Sequence, residues 1–206
     1  HREDVGLRAD IGDGFGGIRA EYYRLDMDTS RTGELQHDWG RLLQGDMVSI
    51  YAEMDELRVG YLEPLADIRT EYRNEELRIQ FASGGVFATR SMTLNGREET
   101  PGTRSQDLEM DGDVLYLAAR ARATWMQFAF DLDYAIAPEE LVLSGDIEDF
   151  SQDIEARLSY QLPQRDISFF AGMRYSTISA SGDANGFKYS NEMTIDGFQL
   201  GFTVTF

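Results

Sequence analysis

Residues 154–162 read IEARLSYQL. Ile154, Ala156, Leu158, Tyr160 and Leu162 alternate with Glu155, Arg157, Ser159 and Gln161. A period of two places one chemistry on each face of an extended strand and excludes an amphipathic helix. In ISFFAGMRY, Ile167, Phe169, Ala171, Met173 and Tyr175 form one face; Ser168, Gly172, Arg174 and an out-of-place Phe170 form the other. PQR at 163–165 joins the two segments as a tight turn.

The same pattern recurs along the chain. Val48, Ile50, Ala52 and Met54 share a face. So do Leu115, Leu117, Ala119, Ala121 and Ala123, opposite Arg120 and Arg122. Met126, Phe128, Phe130, Leu132, Tyr134 and Ile136 oppose Gln127, Asp131 and Asp133. Further strands are expected over 5–11, 17–27, 57–63, 66–82 and 86–94, with a break near Asn74. The parity of the apolar face flips near Thr124, which a tight turn or a bulge explains; the turn is preferred. Short linkers are expected at 12–17 (GDGFGG), 83–85 (SGG) and 163–165. Long polar ones, rich in acids, are expected at 28–45, 95–112, 137–151 and 181–192. PEEL at 138–141 makes at most one turn of helix. GDGFGG joins two strands, so a hairpin explains its glycines better than phosphate binding.

Composition narrows the function classes. The 206 residues suffice for one domain with a full core. There is no cysteine, which excludes disulfides, thiol nucleophiles and a lipidated cysteine. His1 and His37 are the only histidines, so a multi-histidine metal site is not expected. The net charge of -18, without a basic cluster, argues against a nucleic-acid partner. No run of 18 or more apolar residues suggests a transmembrane helix, and HREDVGLRAD lacks the apolar core of a signal peptide.

Alternation by itself leaves the environment open: a soluble barrel turns its apolar face inward, a membrane barrel outward. Three features favour the membrane. The polar face is rich in arginine with acids and small polar groups: Arg120, Arg122, Asp131, Asp133, Glu155, Arg157, Arg174 and Gln199. Lys188 is the sole lysine, and arginine suits confined carboxylate pairing. Several segments run about 9–12 residues, the length of a tilted strand crossing a bilayer. Short turns gather at one end and long acidic linkers at the other.

The stretch DGFQLGFTVTF then adds a resemblance. Phe198, Leu200, Phe202, Val204 and Phe206 alternate along it, and this pattern resembles the last strand of Gram-negative outer-membrane β-barrels. The resemblance implies an integral outer-membrane protein whose last strand is read by the barrel-assembly machinery, with outer-membrane lipid as a partner. The expected fold is all-β: an antiparallel up-and-down transmembrane barrel of ten to twelve strands with long acidic extracellular loops. Residues 1–206 are expected to form one barrel domain, with a strand ahead of His1 if the count is twelve. Trp125, Tyr134, Tyr160, Tyr175 and Phe206 lie near strand ends, where aromatic girdles form.

Candidate chemistry is sparse. His37, with Ser30 and Asp38 nearby, lacks the GxSxG elbow of a hydrolase, so an exposed loop histidine is the simpler reading. Asp107, Glu109, Asp111 and Gly112 approximate the first half of a calcium loop. Ala118 stands where the closing glutamate belongs, which rules out an EF-hand and leaves a loose divalent-cation site as a weak candidate. No catalytic residue, metal centre or cofactor is expected. The polar-face charges either line a narrow passive channel or fill the lumen of a structural or surface-interaction protein. The alternatives are a soluble lipocalin-like barrel with an apolar ligand, which lacks that family's Gly-x-Trp, and an outer-membrane lipid-modifying enzyme.

Overall fold

A computed structural model describes residues 2–12, 15–28, 32–36, 38–99, 104–145, 151–184 and 187–204. They form one antiparallel sheet of eleven strands. These are β1 (Arg2–Gly12), β2 (Gly17–Asp28), β3 (Gly33–Glu34), β4 (Met47–Tyr72), β5 (Glu75–Glu98), β6 (Ser105–Trp125), β7 (Phe128–Ala137), β8 (Val142–Gly145), β9 (Ser151–Gln161), β10 (Ile167–Ala184) and β11 (Phe187–Val204). The all-β, up-and-down architecture read from the alternation holds.

The hydrogen-bonded path is β1-β2-β4-β5-β6-β7-β9-β10-β11; β3 adds to β4 and β8 to β6. β8 continues the line of β7 along β6, since Leu117 pairs with Ile136 and Val114 with Val142. A 3-10 turn at Glu139–Leu141 separates them, as PEEL suggested. The eleven strands fall within the ten to twelve expected; nine of them lie on this path.

Side chains bridge strands that lie far apart on this path. Arg58 of β4 donates to Asp153 of β9. Arg174 of β10 donates to Glu56 of β4 at 3.5 Å. The sheet therefore curls, and one of its faces encloses an interior. Its two edges, β1 and β11, share no ladder among the described residues.

Several boundaries differ from the sequence reading. Residues 57–63 and 66–72 belong to the single 26-residue strand β4, and 75–82 and 86–94 to the 24-residue β5. The break near Asn74 is real. Arg73 and Asn74, with φ of 56° and 63°, make the two-residue turn between β4 and β5. SGG at 83–85 is not a turn. It sits inside β5, where a Cβ on Gly84 would lie 1.9 Å from the Tyr61 carbonyl oxygen; the glycine marks close backbone approach. A bulge at Pro64/Ala66 on the facing strand shifts the register there. The parity flip near Thr124 is the turn between Trp125 and Phe128, with Met126 at φ 53°.

The long linkers are also shorter than expected. Most of 95–112 is strand, and 181–184 and 187–192 extend β10 and β11. On β6, exposed Asp107, Glu109 and Asp111 alternate with buried Leu108 and Met110, so such a strand reads like a loop. At about 3.3 Å per residue, β4 spans about 85 Å, far more than the ~30 Å hydrocarbon layer.

Candidate functional site: a charged interior

The interior changes character along the strands. On β4, Ala52 and Met54 point inward and are buried, and Glu53 and Asp55 point outward. Two residues later the sides swap: Glu56 and Arg58 are buried inside, while Leu57, Val59 and Tyr61 are exposed outside. On β5, Met92 and Leu94 are inside and Phe87 outside, with Arg90 inside at the changeover. On β6, Leu108 and Met110 are inside and Leu117 outside. The three changeovers lie at one level. Leu57 pairs with Thr89, and Thr89 with Asp113. On β2, Tyr22 pairs with Leu57 and Arg24 with Asp55, and the outward residues change from Ile18, Ala20 and Tyr22 to Arg24 and Asp26. The inversion is a property of the sheet and not of one strand.

Toward the loop end the interior is apolar. Leu25, Ala52, Met54, Met92, Leu94, Leu108, Met110, Ile178 and Ile195 form one buried cluster, with Tyr23 and Trp39 packed against it. The segment before β4 folds over this end, since a Cβ on Gly96 would meet Trp39 and Leu42. Arg104 ties the rim together, donating to both Glu98 oxygens at 3.0 and 2.8 Å and to Asp46 at 2.8 Å. The Glu98 bonds, assisted by Asp46, raise the Arg104 pKa and keep the guanidinium charged.

At the changeover, Glu56 is 1% exposed and faces three arginines. Arg58 Nε donates to it at 2.6 Å, Arg90 Nε at 2.8 Å and Arg174 Nη2 at 3.5 Å. Asp153 accepts from Arg58 and, at 2.5 Å, from Arg174. Tyr116 accepts from Arg90 at 3.0 Å and lies under Arg58, 5.1 Å from its ring centroid. Arg174 stacks over Tyr23 at 4.9 Å.

Toward the turn end a second lattice follows. Arg120 forms a two-pronged pair with Asp133 at 2.6 and 3.0 Å. Arg122 donates to Asp131 at 2.7 Å. Arg157 pairs with Glu155 at 2.7 Å, and Glu155 also accepts from Arg8 at 3.1 Å. Arg19 donates to Asp10 at 2.6 Å. The turn between β1 and β2 closes this end: Phe15 is buried against Leu62 and Ala82, beneath Arg122, and its carbonyl accepts from Arg120 at 3.2 Å. Phe170, the residue out of pattern, lies inside over Arg157 at 5.2 Å. Gly201 makes room for it, since a Cβ there would sit 2.5 Å from the Phe170 ring.

The structure thus brings Arg120, Arg122, Asp131, Asp133, Glu155, Arg157 and Arg174 together in one interior, with Gln199 half-buried on the inner face of β11. Sequence reading missed Glu56, Arg58, Arg90, Asp153, Arg8 and Arg19. Arg58 stood between Leu57 and Val59 and was legible by alternation. Glu56 was not, because it follows Ala52 and Met54 in parity and looked like part of an apolar face. Phe198, Leu200, Phe202 and Val204 point outward and are exposed; Phe206, Ser30 and His37 lie outside the described residues.

The cation candidate fails on geometry. Asp107, Glu109 and Asp111 occupy alternate outward positions of β6 and not a loop, so their side chains stand side by side and do not converge. Among the described residues no group of three His, Cys, Asp or Glu could hold a metal. Asp38, beside His37 in sequence, accepts the Gln44 amide at 2.7 Å and orders its own loop. Comparison with known families, curated proteins and solved structures finds no match to this chain.

Proposed function

We propose that this protein is an integral outer-membrane β-barrel with a filled interior, acting as a structural or surface-interaction protein without catalysis. One observation carries the reading: the level at which sidedness inverts across β2, β4, β5 and β6, with apolar residues outside and paired charges inside on its turn side. Water on both sides of such a wall would expose a continuous apolar belt, whereas a bilayer covers it. The loop-side half, apolar inside and acidic outside, then stands clear of the membrane. Outer-membrane lipid and the barrel-assembly machinery are its partners. Its acidic outward positions, Asp107, Glu109, Asp111 and Asp113, attract divalent cations diffusely.

The filled interior favours a structural role over a passive channel. Aromatic or aliphatic side chains occupy both ends, ion pairs occupy the middle, and the cavity among Arg8, Arg58, Asp153 and Glu155 holds only about 50 Å³. That is room for a few waters and not for a passage. A lipocalin-like reading has less support, because the turn-side interior is charged and offers an apolar ligand no lining.

The test is direct. The protein should partition into detergent and change its gel mobility on boiling, the mark of a closed barrel. Reconstituted in planar bilayers it should pass no ionic current across a range of voltages and salts. Solubility without detergent would remove the membrane reading, and steady conductance would restore the channel.

A further inference from the structure

The cavity of about 50 Å³ in the charged interior is lined by Arg8, Glu21, Arg58 and Glu155, with Val86 and Ala118 among its apolar neighbours. The four charged residues all take part in ion pairs. Arg8 Nη2 donates to Glu155 Oε2 at 3.1 Å, and Arg58 Nε donates to Glu56 at 2.6 Å. Those pairs do not use every atom. Among the described residues nine buried side-chain nitrogens and oxygens have no hydrogen-bond partner, and four of the nine belong to residues lining this one cavity: Arg8 Nη1, Arg58 Nη2, Glu21 Oε1 and Glu155 Oε1. Glu21 Oε1 lies beside Arg8 Nε, and Glu155 Oε1 lies 2.7 Å from Arg157 Nε, both without the alignment of a hydrogen bond. Arg58 is 7% exposed and Glu155 8%, so bulk water does not serve them.

A buried donor or acceptor on a charged group is costly to leave unmade, so four such atoms around one space call for a shared ligand. The set holds two donors and two acceptors. A small anion would satisfy the guanidinium nitrogens and be repelled by the carboxylates; a metal ion or ammonium would do the reverse. A neutral molecule that both donates and accepts serves all four, and the volume limits that molecule to water.

We propose that this cavity is a bound-water site, a small cluster that accepts from Arg8 and Arg58 and donates to Glu21 and Glu155. The four residues stand on β1, β4, β2 and β9. Neither β1 nor β4 shares a ladder with β9, so the cluster joins opposite walls of the curled sheet where no backbone hydrogen bond does. The loop-side interior around Met110, 0% exposed among leucines and methionines, offers water no such set of partners and stays dry. The site rests on the charged interior and is independent of whether lipid or water lies outside.

Two measurements on the full chain in detergent test the site. The first is a crystal structure from crystals soaked in sodium bromide. Ordered water should stand within hydrogen-bond reach of Arg58 Nη2 and Glu155 Oε1, with no anomalous bromide signal there. A bromide peak in the cavity makes the ligand an anion and overturns the site, and so does a cavity closed by direct pairing of the four atoms. The second is the water–methyl nuclear Overhauser effect in methyl-labelled protein. Val86 and Ala118 should show long-lived water, and Met110 should show none. Silence at Val86 and Ala118 overturns the water site and leaves the filled barrel standing. Water at Met110 as well would mean an interior hydrated throughout, which overturns both the confined site and the filled barrel. Should the protein prove soluble without detergent, the membrane reading alone fails, and the same two measurements in buffer still decide the site.

Discussion

Met54 and Val59 lie on one strand within a few residues of each other, yet the first is 3% exposed inside the curled sheet and the second 46% exposed outside it. On the loop side of the changeover the wall is that of a water-soluble β protein, with methionine and leucine within and acids without. On the turn side it is inverted. The hydrogen-bond ladder runs through the changeover without a break, so the backbone is indifferent to which side is wet. What differs is the environment each face must match: apolar surface goes wherever water is absent, and charges go wherever partners or water exist.

The comparison breaks first at its hinge. Glu56→Ala leaves Arg58, Arg90 and Arg174 facing one another with Asp153 alone. The expected loss is about 3–5 kcal/mol, as for breaking a buried ion pair from one side, and is read as a lower urea midpoint of unfolding. A loss below ~1 kcal/mol would mean that the cluster is hydrated and the interior open. On the loop side, Met110→Ala removes a side chain that is 0% exposed and should cost about 2–5 kcal/mol by cavity formation. An unchanged midpoint there would deny that this half has a packed core.

The outer faces give a sharper contrast. On the proposed membrane reading, Val59→Arg should destabilise the protein by about 2–4 kcal/mol, measured by refolding into vesicles. Thr93→Arg, outward on the loop side, should stay within ~0.5 kcal/mol of the parent. Equal effects at the two positions would erase the proposed boundary. Below Val59→Arg in size is Gly201→Ala, which presses on the Phe170 ring and should cost about 1–3 kcal/mol; the paired change Gly201→Ala with Phe170→Leu should recover part of that loss.

Alternation alone reveals strands, their two faces and, over residues 115–175, the inward charges. It succeeds there because one chemistry holds each face for the whole segment. It fails on β4, β5 and β6, where each face changes chemistry midway. Val48 to Met54 looks like a membrane face and is an interior one. DLEMDGD looks like a loop and is the wet side of β6. SGG looks like a turn because glycine serves turns and close backbone approach alike, and MQ at 126–127 hides a turn because neither residue advertises one.

What the sequence determined by itself is local: the period of two, the absence of helices long and apolar enough to span a bilayer, and the supply of arginines and acids at alternate positions. Those follow from side chains one and two residues apart. Which acid meets which arginine, where the wall inverts and how Phe15 and Trp39 close the two ends were decided by the tertiary structure. Each requires the curl of the sheet to bring together residues from β4, β9 and β10 that no local pattern connects.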